Sequence, residues 1–300
     1  MKLVFFDDFK LGVVEGDRVK DVSGVVADIP HLGPHHLING LIERFDEYRP
    51  RIEEAAASSD GVPLDSVQLR PPTPKPGKLV CMAVNYMEDG TRDEPAPINA
   101  FLKSPKAVVS DGDTVVLNKE PATIFEHEAE LGLVIGKRAS KVSAEDWEEY
   151  VFGYMNFIDV SSRGLGAPAM DSFFPTKSPH TSAPLGPFLV TADEIENPQN
   201  LAIKLSVSGV LRQDFNTDDM AHKIPRVIEF ASDVTTLDPG DVVATGTNHR
   251  GLGPLHDGDT IEMEVEGLGV LHLNVQDDLH REWPRETRLE KEAREAAASD

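Results

Sequence analysis

The sequence contains a single cysteine, Cys81, among 300 residues. An internal disulfide is therefore excluded, and so is a zinc site built from cysteines. Cys81 lies in the apolar run LVCMAV, where a buried structural thiol is expected. No apolar run approaches the roughly 20 residues that a membrane-spanning helix needs. The N-terminus lacks the basic start and long apolar stretch of a signal peptide, so the sequence predicts a cytoplasmic protein without membrane attachment.

Basic residues are also scarce: lysine and arginine together number 29, against 52 aspartates and glutamates, and the formal net charge is −23. Binding to nucleic acid or to anionic lipid requires a basic face, so the composition argues against both. It does not argue against an anionic substrate, because a bound divalent cation can reverse the local field. Apolar residues make up 40% of the chain, which is typical of a globular protein.

Two segments with different patterns are joined by a proline-rich stretch. Residues 1–72 predict a small N-terminal α/β domain, with a hairpin that turns at Glu15-Gly16-Asp17 and helical apolar spacing from 36 to 57. Pro50 is expected to divide that helical stretch into two. Residues 71–77, PPTPKPG, predict an extended linker, because proline fixes φ and disfavours helix.

Residues 73–284 contain many short β-rich runs and few helical patterns. Strand and helix do not alternate regularly, which argues against a doubly wound nucleotide-binding fold or a TIM barrel. Gly251-Leu252-Gly253 has no helical pattern after it, so it does not fit a dinucleotide-binding loop. The sequence predicts a mixed, β-rich α+β fold with helical decoration. A charged, solvated tail of little functional importance is expected at 285–300.

The strongest chemical signal is the acidic run Glu126-His127-Glu128-Ala129-Glu130, which leads directly into the apolar run LGLVIG. On a strand, residues at i, i+2 and i+4 share one face. A carboxylate buried there needs a partner. Mg²⁺, Mn²⁺ and Ca²⁺ are suitable partners because hard cations prefer oxygen ligands. The alternative is a solvated acidic edge in an acidic protein.

Three further features could complete such a site. Asp159 ends the otherwise uncharged run GYMNFID and needs a metal, an arginine or a cap; Arg163, four residues on, is the competing structural partner. Lys177 could hold an anionic substrate or donate a proton with a lowered pKa, although loop lysines are usually only solvated. The run Thr-Gly-Thr at 245–247 offers hydroxyl and N–H groups to a carboxylate, although an ordinary turn has the same composition.

The order of these features resembles the fumarylacetoacetate hydrolase family, whose bacterial members include 2-hydroxyhepta-2,4-diene-1,7-dioate isomerases and acylpyruvate hydrolases. The segments that carry the resemblance lie within residues 78–275: KLVCMAVNY, APINAFLKSP, EHEAELGLVIGKR, VFGYMNFIDVSSRG, KSPHTSAPLGP, SGVLRQDFNTDDM, TLDPGDVVATGT and DGDTIEMEVEGLG. The resemblance implies a β-roll of mixed strands with a small N-terminal cap, a homodimer, and a bound Mg²⁺, Mn²⁺ or Ca²⁺.

The resemblance also implies two sets of site residues. The metal-binding set is Glu128, Glu130 and Asp159. Glu126 is implied to support these ligands without binding the metal itself. The substrate-contacting set is Tyr86, Arg163, Gln213 and Thr247, and Lys177 is implied to lie near both metal and substrate.

One departure from the family pattern concerns proton transfer. Many members carry Tyr-x-x-His-x-x-Glu after Asn-Tyr, whereas this chain has Asp89 where the histidine is expected and Arg92 where the glutamate is expected. Glu88 or Asp89 is therefore the candidate catalytic base, in a loop at 85–94 that could act as a lid. A histidine from another loop, His180 or His249, could also enter the site. The missing pair argues against simple C–C hydrolysis.

The sequence predicts a Mg²⁺- or Mn²⁺-dependent enzyme that acts on a small anionic 2-oxo or 1,3-diketo acid. The reaction would proceed through a metal-stabilised enolate, as in an isomerase, decarboxylase or C–C hydrolase. One alternative is a dehydratase or lyase of a 2-keto-3-deoxy sugar acid. The other is a non-catalytic relative that only binds a metal–oxoacid complex. The missing His-Glu pair favours this last alternative, and the retained carboxylates argue against it.

Overall fold

The computed structural model describes residues 1–166 and 172–298. Within them the chain forms nineteen strands and five α-helices. The strands are β1 Lys2–Phe6, β2 Lys10–Glu15, β3 Arg18–Asp21, β4 Val62–Pro63, β5 Leu69–Arg70, β6 Leu79–Met82, β7 Ala100–Lys103, β8 Val108–Val109, β9 Thr114–Val116, β10 Ile124–Glu126, β11 Ala129–Ile135, β12 Val151–Ile158, β13 Ser161–Arg163, β14 Ala183–Thr191, β15 Ala202–Val207, β16 Val210–Asn216, β17 Val242–Ala244, β18 Thr260–Val265 and β19 Val270–Gln276. The helices are α1 Pro34–Glu43, α2 Phe45–Ala57, α3 Phe173–Lys177, α4 Ile224–Val234 and α5 Arg288–Ala297.

The described strands form three sheets. The largest has twelve strands in the order β4-β3-β2-β1-β14-β12-β11-β17-β6-β7, with β5 beside β1 and β8 beside β14. The second has five strands, β16-β15-β18-β19-β9, and the third is the pair β10-β13. Most neighbours are antiparallel, although β17 is parallel to β6, β14 to β8 and β19 to β9. This is the mixed, β-rich α+β fold predicted from the sequence.

The middle of the large sheet is buried on both faces. Every residue of β11 and of β14 is buried, and apolar clusters pack against both sides of the sheet. Polar groups on these strands therefore lie in surroundings where an unpaired charge is costly. The candidate site lies at one end of β11 and its neighbours.

The N-terminal segment adds strands to this same sheet. β1 pairs antiparallel with β14, with Lys2 opposite Val190, and β2 follows on the other side of β1. The predicted hairpin is confirmed: β2 and β3 pair, with Glu15 opposite Arg18. The division into domains at 1–72, 73–284 and 285–300 stays a prediction, and residues 299–300 of the last segment lie outside the described residues.

The helical stretch between 34 and 57 is interrupted at a different residue from the one expected. α1 ends at Glu43 and α2 begins at Phe45, while Pro50 lies inside α2, so the expected break at Pro50 is wrong. A proline at this position removes one hydrogen bond, to the carbonyl of Asp46 in the first turn. Asp46 is exposed, so water can satisfy that carbonyl. None of the helices within residues 1–166 and 172–298 has the length and apolar character required to span a membrane.

Candidate active site

Three carboxylates converge where β11 and β12 meet. Ala129 of β11 pairs with Ile158 of β12. At the next pair of residues, Glu128 and Asp159, the N–H of Asp159 donates to the carbonyl of Glu128 over 2.9 Å. Glu128 and Asp159 therefore stand opposite one another, and Glu130 lies on β11 beside them. One oxygen from each of the three carboxylates lies within 4.8 Å of the others, and all three side chains are buried.

Two buried lysines partly neutralise this cluster. Lys177, the last residue of α3, donates from Nζ to both Glu128 oxygens over 2.9 and 2.8 Å and to Asp159 Oδ2 over 2.6 Å. Lys103, at the end of β7, donates to Asp159 Oδ1 and, over 3.1 Å, to the carbonyl of Val160. Burial works to lower the pKa of Lys177, but the charges of Asp159 and Glu128 outweigh it, and the pKa is raised. The sequence had led us to expect a lowered pKa.

Lys103 is a site residue that the sequence reasoning missed. Its strand, AFLK, buries Phe101 and Lys103 on the same face and exposes Leu102. A lysine in phase with a buried aromatic residue on a strand was the available signal, because a charge at that position needs a partner. Asp159 is that partner, and Arg163, which the sequence offered as the competing partner of Asp159, contacts two glutamates in the structure.

Glu128 and Glu130 have pKa values shifted in opposite directions. Burial works to raise the pKa of Glu128, but the charges of Lys177 and Arg163 outweigh it, and the pKa lies well below its usual value. Burial, with the charges of Asp159 and Glu128, holds the pKa of Glu130 well above its usual value. Glu130 Oε2 accepts from Gly246 N–H over 2.8 Å, whereas buried Oε1 has no hydrogen-bond partner within the described residues.

Gly246 is required for that hydrogen bond. Its φ is +86°, and a Cβ atom there would lie 3.0 Å from the Asn85 Cβ atom and 3.3 Å from the Met82 carbonyl. The Thr-Gly-Thr turn follows β17, which pairs with β11, and this pairing brings Gly246 against Glu130. Its contact with the cluster is a backbone N–H to Glu130, whereas the Thr245 hydroxyl donates to the Leu131 carbonyl and the Thr247 hydroxyl accepts from Gln213.

These residues fit a divalent cation. An orphaned, buried carboxylate oxygen on Glu130 lacks a partner that a cation would provide. The donor set is entirely carboxylate oxygen, which suits Mg²⁺, Mn²⁺ or Ca²⁺. In formal charge the surrounding acids and bases cancel: Glu126, Glu128, Glu130 and Asp159 against Lys103, Lys177, Arg163 and Arg288. A divalent ion would leave the site positive and suited to an anionic ligand.

Glu126 holds two arginines and takes no part in the cluster of three. Its Oε1 accepts from Arg288 Nε over 2.9 Å, and its Oε2 accepts from Arg288 Nη2 over 2.6 Å and Arg163 Nε over 2.8 Å. Arg163 also donates through Nη2 to Glu128. Burial raises the pKa of Glu126, but Arg288 and Arg163 outweigh it and the pKa is lowered. Glu126 therefore orients Arg163 toward the carboxylate cluster.

Arg288 belongs to the C-terminal segment that the sequence suggested was functionally unimportant. It is the first residue of α5, and Thr287 and Glu290 form a capping box that fixes where this helix starts. That box was readable as T-x-x-E in the sequence. The contact with Glu126 was not, because 162 residues separate the two.

Gln213 and Thr247 bind one another. Gln213 Nε2 donates to Thr247 Oγ1 and to the Asn248 carbonyl, each over 2.8 Å, and its Oε1 accepts from Ala129 N–H over 3.1 Å. His127 Nδ1 also lies 3.1 Å from that Oε1. The amide of Gln213 thus has all its capacity engaged and ties the acidic run to the 245–249 loop. Direct contact of Gln213 or Thr247 with substrate stays a prediction.

Tyr86 lies in the core, in the loop after β6. Its ring is fully buried, edge-on to Phe215 at 5.0 Å between centroids. Its hydroxyl is buried without a hydrogen-bond partner in the described part of the chain. Burial, together with the charge of Glu130, raises the pKa of Tyr86 well above its usual value. Tyr86 is therefore a neutral hydroxyl beside Glu130.

Glu88 and His249 form a carboxylate–imidazole pair. His249 Nδ1 lies 2.6 Å from Glu88 Oε1, and His249 N–H donates to Glu88 Oε2 over 2.8 Å. Burial raises the pKa of Glu88, but the hydrogen bond and charge of His249 outweigh it, so the pKa is lowered. His249 lies three residues after Gly246, whose N–H binds Glu130, so the 245–249 loop connects the Glu88–His249 pair to the carboxylate cluster.

The other two candidates for proton transfer are placed differently. The side chain of Asp89 is 55% exposed, and the nearest cation, Arg250 Nε, is 4.0 Å away. His180 is exposed as well. The structure thus brings Glu88 and His249 together and leaves Asp89 and His180 at the surface.

Comparison with known proteins adds a family context. Residues 78–276 match the family model described as fumarylacetoacetate (FAA) hydrolase C-terminal. A maleylpyruvate hydrolase of Aquipseudomonas alcaligenes is 35% identical over 292 residues, covering 92% of this chain and 99% of that relative. The oxaloacetate tautomerase YisK of Bacillus subtilis is 37% identical over 224 residues, covering 71% of this chain and 74% of that relative.

A solved structure shares the fold over most of the chain. It is maleylpyruvate hydrolase from Sphingobium sp. SYK-6 in complex with manganese(II) ion and pyruvate, with a TM-score of 0.83 and 37% identity. The match covers 92% of this chain and 99% of that one.

Proposed function

This chain belongs to the fumarylacetoacetate hydrolase family, and we propose that within it the chain hydrolyses a C–C bond of an acylpyruvate with the help of a divalent metal. Its named relatives include hydrolases, isomerases and a tautomerase, so the prediction of an enzyme is confirmed and the non-catalytic alternative is set aside. The acylpyruvate is one of the 1,3-diketo acids predicted from the sequence. Cleavage would give pyruvate and a carboxylic acid.

The observation that carries this proposal is the Glu88–His249 pair. Its histidine lies on the loop that follows Gly246, whose N–H binds one of the three buried carboxylates. The sequence argued against hydrolysis because the usual His-Glu pair is missing from its usual place. Glu88 and His249 supply the same two groups from two separate loops. Hydrolysis needs a base that can take a proton from water, and an imidazole oriented by a carboxylate is suited to this role.

The metal would be held by Glu128, Glu130 and Asp159. When bound, such an ion supplies Lewis-acid polarisation of the substrate's carbonyl oxygens. The solved relative in complex with manganese and pyruvate supports a divalent ion and a small oxo acid as ligands of this chain. Whether this chain uses Mg²⁺, Mn²⁺ or Ca²⁺ stays a prediction, as does the homodimer.

In this proposal His249 is the base, and Glu88 positions it. Glu88 has a lowered pKa and accepts from His249 Nδ1–H, which leaves Nε2 as the basic nitrogen. His249 Nε2 takes a proton from water, and the water oxygen bonds to the acyl carbonyl carbon. The bond from that carbon to the methylene group breaks, and the departing pyruvate carbanion takes up one proton. One water is consumed for each pyruvate and each acid released.

Lys177 and Arg163 hold the anionic substrate in place. The three N–H donors of Lys177 are engaged by Glu128 and Asp159, so contact with substrate exchanges one of these hydrogen bonds. Arg163 is fixed by Glu126 and contributes positive charge next to Glu128. Tyr86 offers a buried, neutral O–H donor.

Tautomerisation of a 2-oxo dicarboxylate such as oxaloacetate is the second candidate. It is favoured by the 37% identity to an oxaloacetate tautomerase. The same imidazole could move a proton between carbon and oxygen without adding water. The two candidates therefore differ in whether a C–C bond is broken.

The test offers acetylpyruvate, succinylpyruvate and oxaloacetate to the purified protein with Mn²⁺ in labelled water. We expect equimolar pyruvate and acid from an acylpyruvate, with one labelled oxygen in the acid, and no reaction in excess chelator. Rapid tautomerisation of oxaloacetate with no cleavage of either acylpyruvate would overturn the proposal and favour the second candidate.

A further inference from the structure

The first residue of α5 is bonded to the acidic run through its side chain. Arg288 donates from Nε to Glu126 Oε1 over 2.9 Å and from Nη2 to Glu126 Oε2 over 2.6 Å. Glu126 also accepts from Arg163, which donates to Glu128. A continuous series of charged contacts therefore runs from α5 to one of the three clustered carboxylates.

The backbone of the same helix turn is bonded to the loop that carries the proposed base. The first N–H groups of an α-helix have no partner within the helix. At α5 two of them donate to the loop after β17: Arg288 N–H to the Leu252 carbonyl over 2.8 Å, and Leu289 N–H to the Arg250 carbonyl over 3.0 Å. His249 immediately precedes Arg250 on this loop. The start of α5 thus contacts both the carboxylate cluster's support and the base's loop.

The segment that leads into α5 is itself tied to the rest of the protein. Trp283 N–H donates to His256 Nε2 over 3.0 Å, and Arg285 Nη1 donates to Asp259 Oδ1 over 2.9 Å. The Trp283 ring also lies against Phe125 of β10, with 6.1 Å between centroids. None of the residues of α5 is buried, so these contacts and those of its first turn fix the position of the helix.

The start of α5 also forms part of a cavity wall. Glu88, His249, Arg250 and Arg288 line one cavity of about 430 Å³. The family match ends at residue 276, so the family resemblance assigns no role to α5. The contacts of Arg288 nevertheless place this helix at the same cavity as the Glu88–His249 pair.

We propose that α5 is a functional part of the active site and that Arg288 is a positioning residue for the reaction. Its side chain holds Glu126 and thereby Arg163, while its backbone holds the loop of His249. Arg288 thus fixes the spacing between the carboxylate cluster and the base. This inference rests on the proposed function, because that function makes His249 the base. A displacement of about 1 Å between reacting groups can lower a rate about 10²-fold.

The first experiment measures kcat and KM of Arg288→Met for acetylpyruvate at saturating Mn²⁺. We expect kcat to fall by about 10- to 100-fold, because the spacing is no longer fixed. KM and Mn²⁺ affinity should stay within about threefold of wild type, because no group that binds substrate or metal is removed. Thermal melting of each variant checks that it is folded.

Arg294→Met is the matched control. Arg294 lies on the same helix and also makes two hydrogen bonds to one glutamate, over 2.9 and 2.8 Å, but its partner is Glu286 of the segment before α5. Its kcat should stay within about twofold of wild type. Equal losses of kcat in Arg288→Met and Arg294→Met would overturn the inference.

A double-mutant cycle tests whether Arg288 acts through Glu126. If it does, the variant that combines Arg288→Met with Glu126→Gln should lose about as much kcat as the more impaired single variant. Losses that multiply would mean that the two residues act independently, and would overturn the inference while leaving the proposed function standing. A wild-type protein that leaves acetylpyruvate intact would instead defeat the proposed function.

Hydrogen exchange of the metal-free protein tests the backbone contacts without any measurement of activity. Thr287→Val removes the hydroxyl that caps α5 and keeps the shape of the side chain. Amides of residues 246–252, including the His249 N–H that binds Glu88, should exchange about three- to tenfold faster than in wild type. Ser143→Ala, which removes the cap of another helical segment, should leave them unchanged. Unchanged exchange of 246–252 in Thr287→Val would show that α5 does not hold the loop, and would refute the inference.

Discussion

The candidate site has two sides that are assembled in opposite ways. The carboxylate side consists of Glu128, Glu130, Asp159, Lys103 and Lys177, all of them buried and most of them on or next to strands of the large sheet. The loop side consists of Glu88, Arg92, His249 and Arg250, which lie in two loops and are, apart from Glu88, partly exposed. The strand pairing of β11 with β12 and β17 holds the first side rigidly. The second side depends on contacts between loops.

Because one side is buried and the other lies in loops, we expect the two sides to have different functions. A buried, paired set of charges is preorganised and has few ways to rearrange, which suits the binding of a metal ion. Loop residues can adjust to the shape and charge of a substrate. Glu88 and Asp89 have positive φ values of 58° and 56°, in a loop that departs from regular structure next to the cavity. We therefore expect the carboxylate side to control metal affinity, and the loop side to control proton transfer and substrate choice.

The largest effect should come from Glu128→Ala. Removing this carboxylate deletes one metal ligand and leaves Lys177 and Arg163 without their shared partner. Turnover should fall by more than about 10³-fold and Mn²⁺ affinity should fall with it. Calorimetry with Mn²⁺ and steady-state kinetics measure the two quantities. Glu148→Ala, at an exposed position, is the control; unchanged Mn²⁺ affinity in Glu128→Ala would remove this residue from the metal site.

His249→Asn tests whether the loop side controls proton transfer without affecting metal binding. The lost base should lower kcat by about 10²- to 10⁴-fold, while Mn²⁺ affinity stays within about threefold of wild type, because the three carboxylates are untouched. Glu88→Gln should have a smaller effect on kcat, since it only positions the imidazole. His36→Asn, at an exposed histidine, serves as the control. A large loss of Mn²⁺ affinity in His249→Asn would mean that the two sides are not separate.

Lys103→Met tests how much the carboxylate side depends on buried charge pairing. The change leaves the buried Asp159 with Lys177 as its remaining ammonium partner, and should destabilise the metal-free protein by roughly 3 kcal/mol. Saturating Mn²⁺ should restore part of that loss. Lys137→Met, which removes an exposed partner of Glu149, should cost much less than Lys103→Met, because water screens that pair. Urea unfolding measures both; equal costs would show that burial of the first pair has no energetic importance.

The smallest effect should come from an exposed ion pair far from both sides. Arg49 Nη2 donates to Asp193 Oδ2 over 2.7 Å, and Arg49→Gln should lower the free energy of unfolding by at most about 1 kcal/mol. Burial raises the pKa of Asp193, but the hydrogen bond from Arg49 outweighs it and lowers the pKa to about 2. The contribution of a carboxylate with a lowered pKa is present above pH 4 and is lost as the pH falls toward 2. Unfolding curves of wild type and Arg49→Gln should therefore differ at pH 7 and converge at pH 2; a constant difference would contradict this.

The carboxylate side was easier to predict from the sequence than the loop side. Glu128 and Glu130 are two residues apart, and Asp159 ends an apolar run, so local patterns marked all three as candidates, and the family resemblance grouped them as one metal-binding set. The sheet-rich α+β fold was predictable because strand patterns are local. By contrast, the order of strands in the large sheet depends on contacts between distant segments, and no local pattern encodes it.

The loop side was only partly predictable for the same reason. Glu88 and His249 were nominated separately, but they are 161 positions apart, and nothing in either segment points to the other. Arg288 was dismissed with its tail, since a charged helix at a chain end usually has no partner. Asp89, nominated because it replaces the expected histidine, lies at the surface. Alignment with a pattern identifies a position, but the direction of the side chain depends on the backbone around it.

The most direct test of the account is a crystal of this protein grown with Mn²⁺ and pyruvate and measured at the manganese absorption edge. We predict a single anomalous peak bonded to oxygens of Glu128, Glu130 and Asp159, with Lys177 released from at least one of its hydrogen bonds to them. A peak at any other group of acids, or none at saturating Mn²⁺, would contradict the metal site and the hydrolysis built on it.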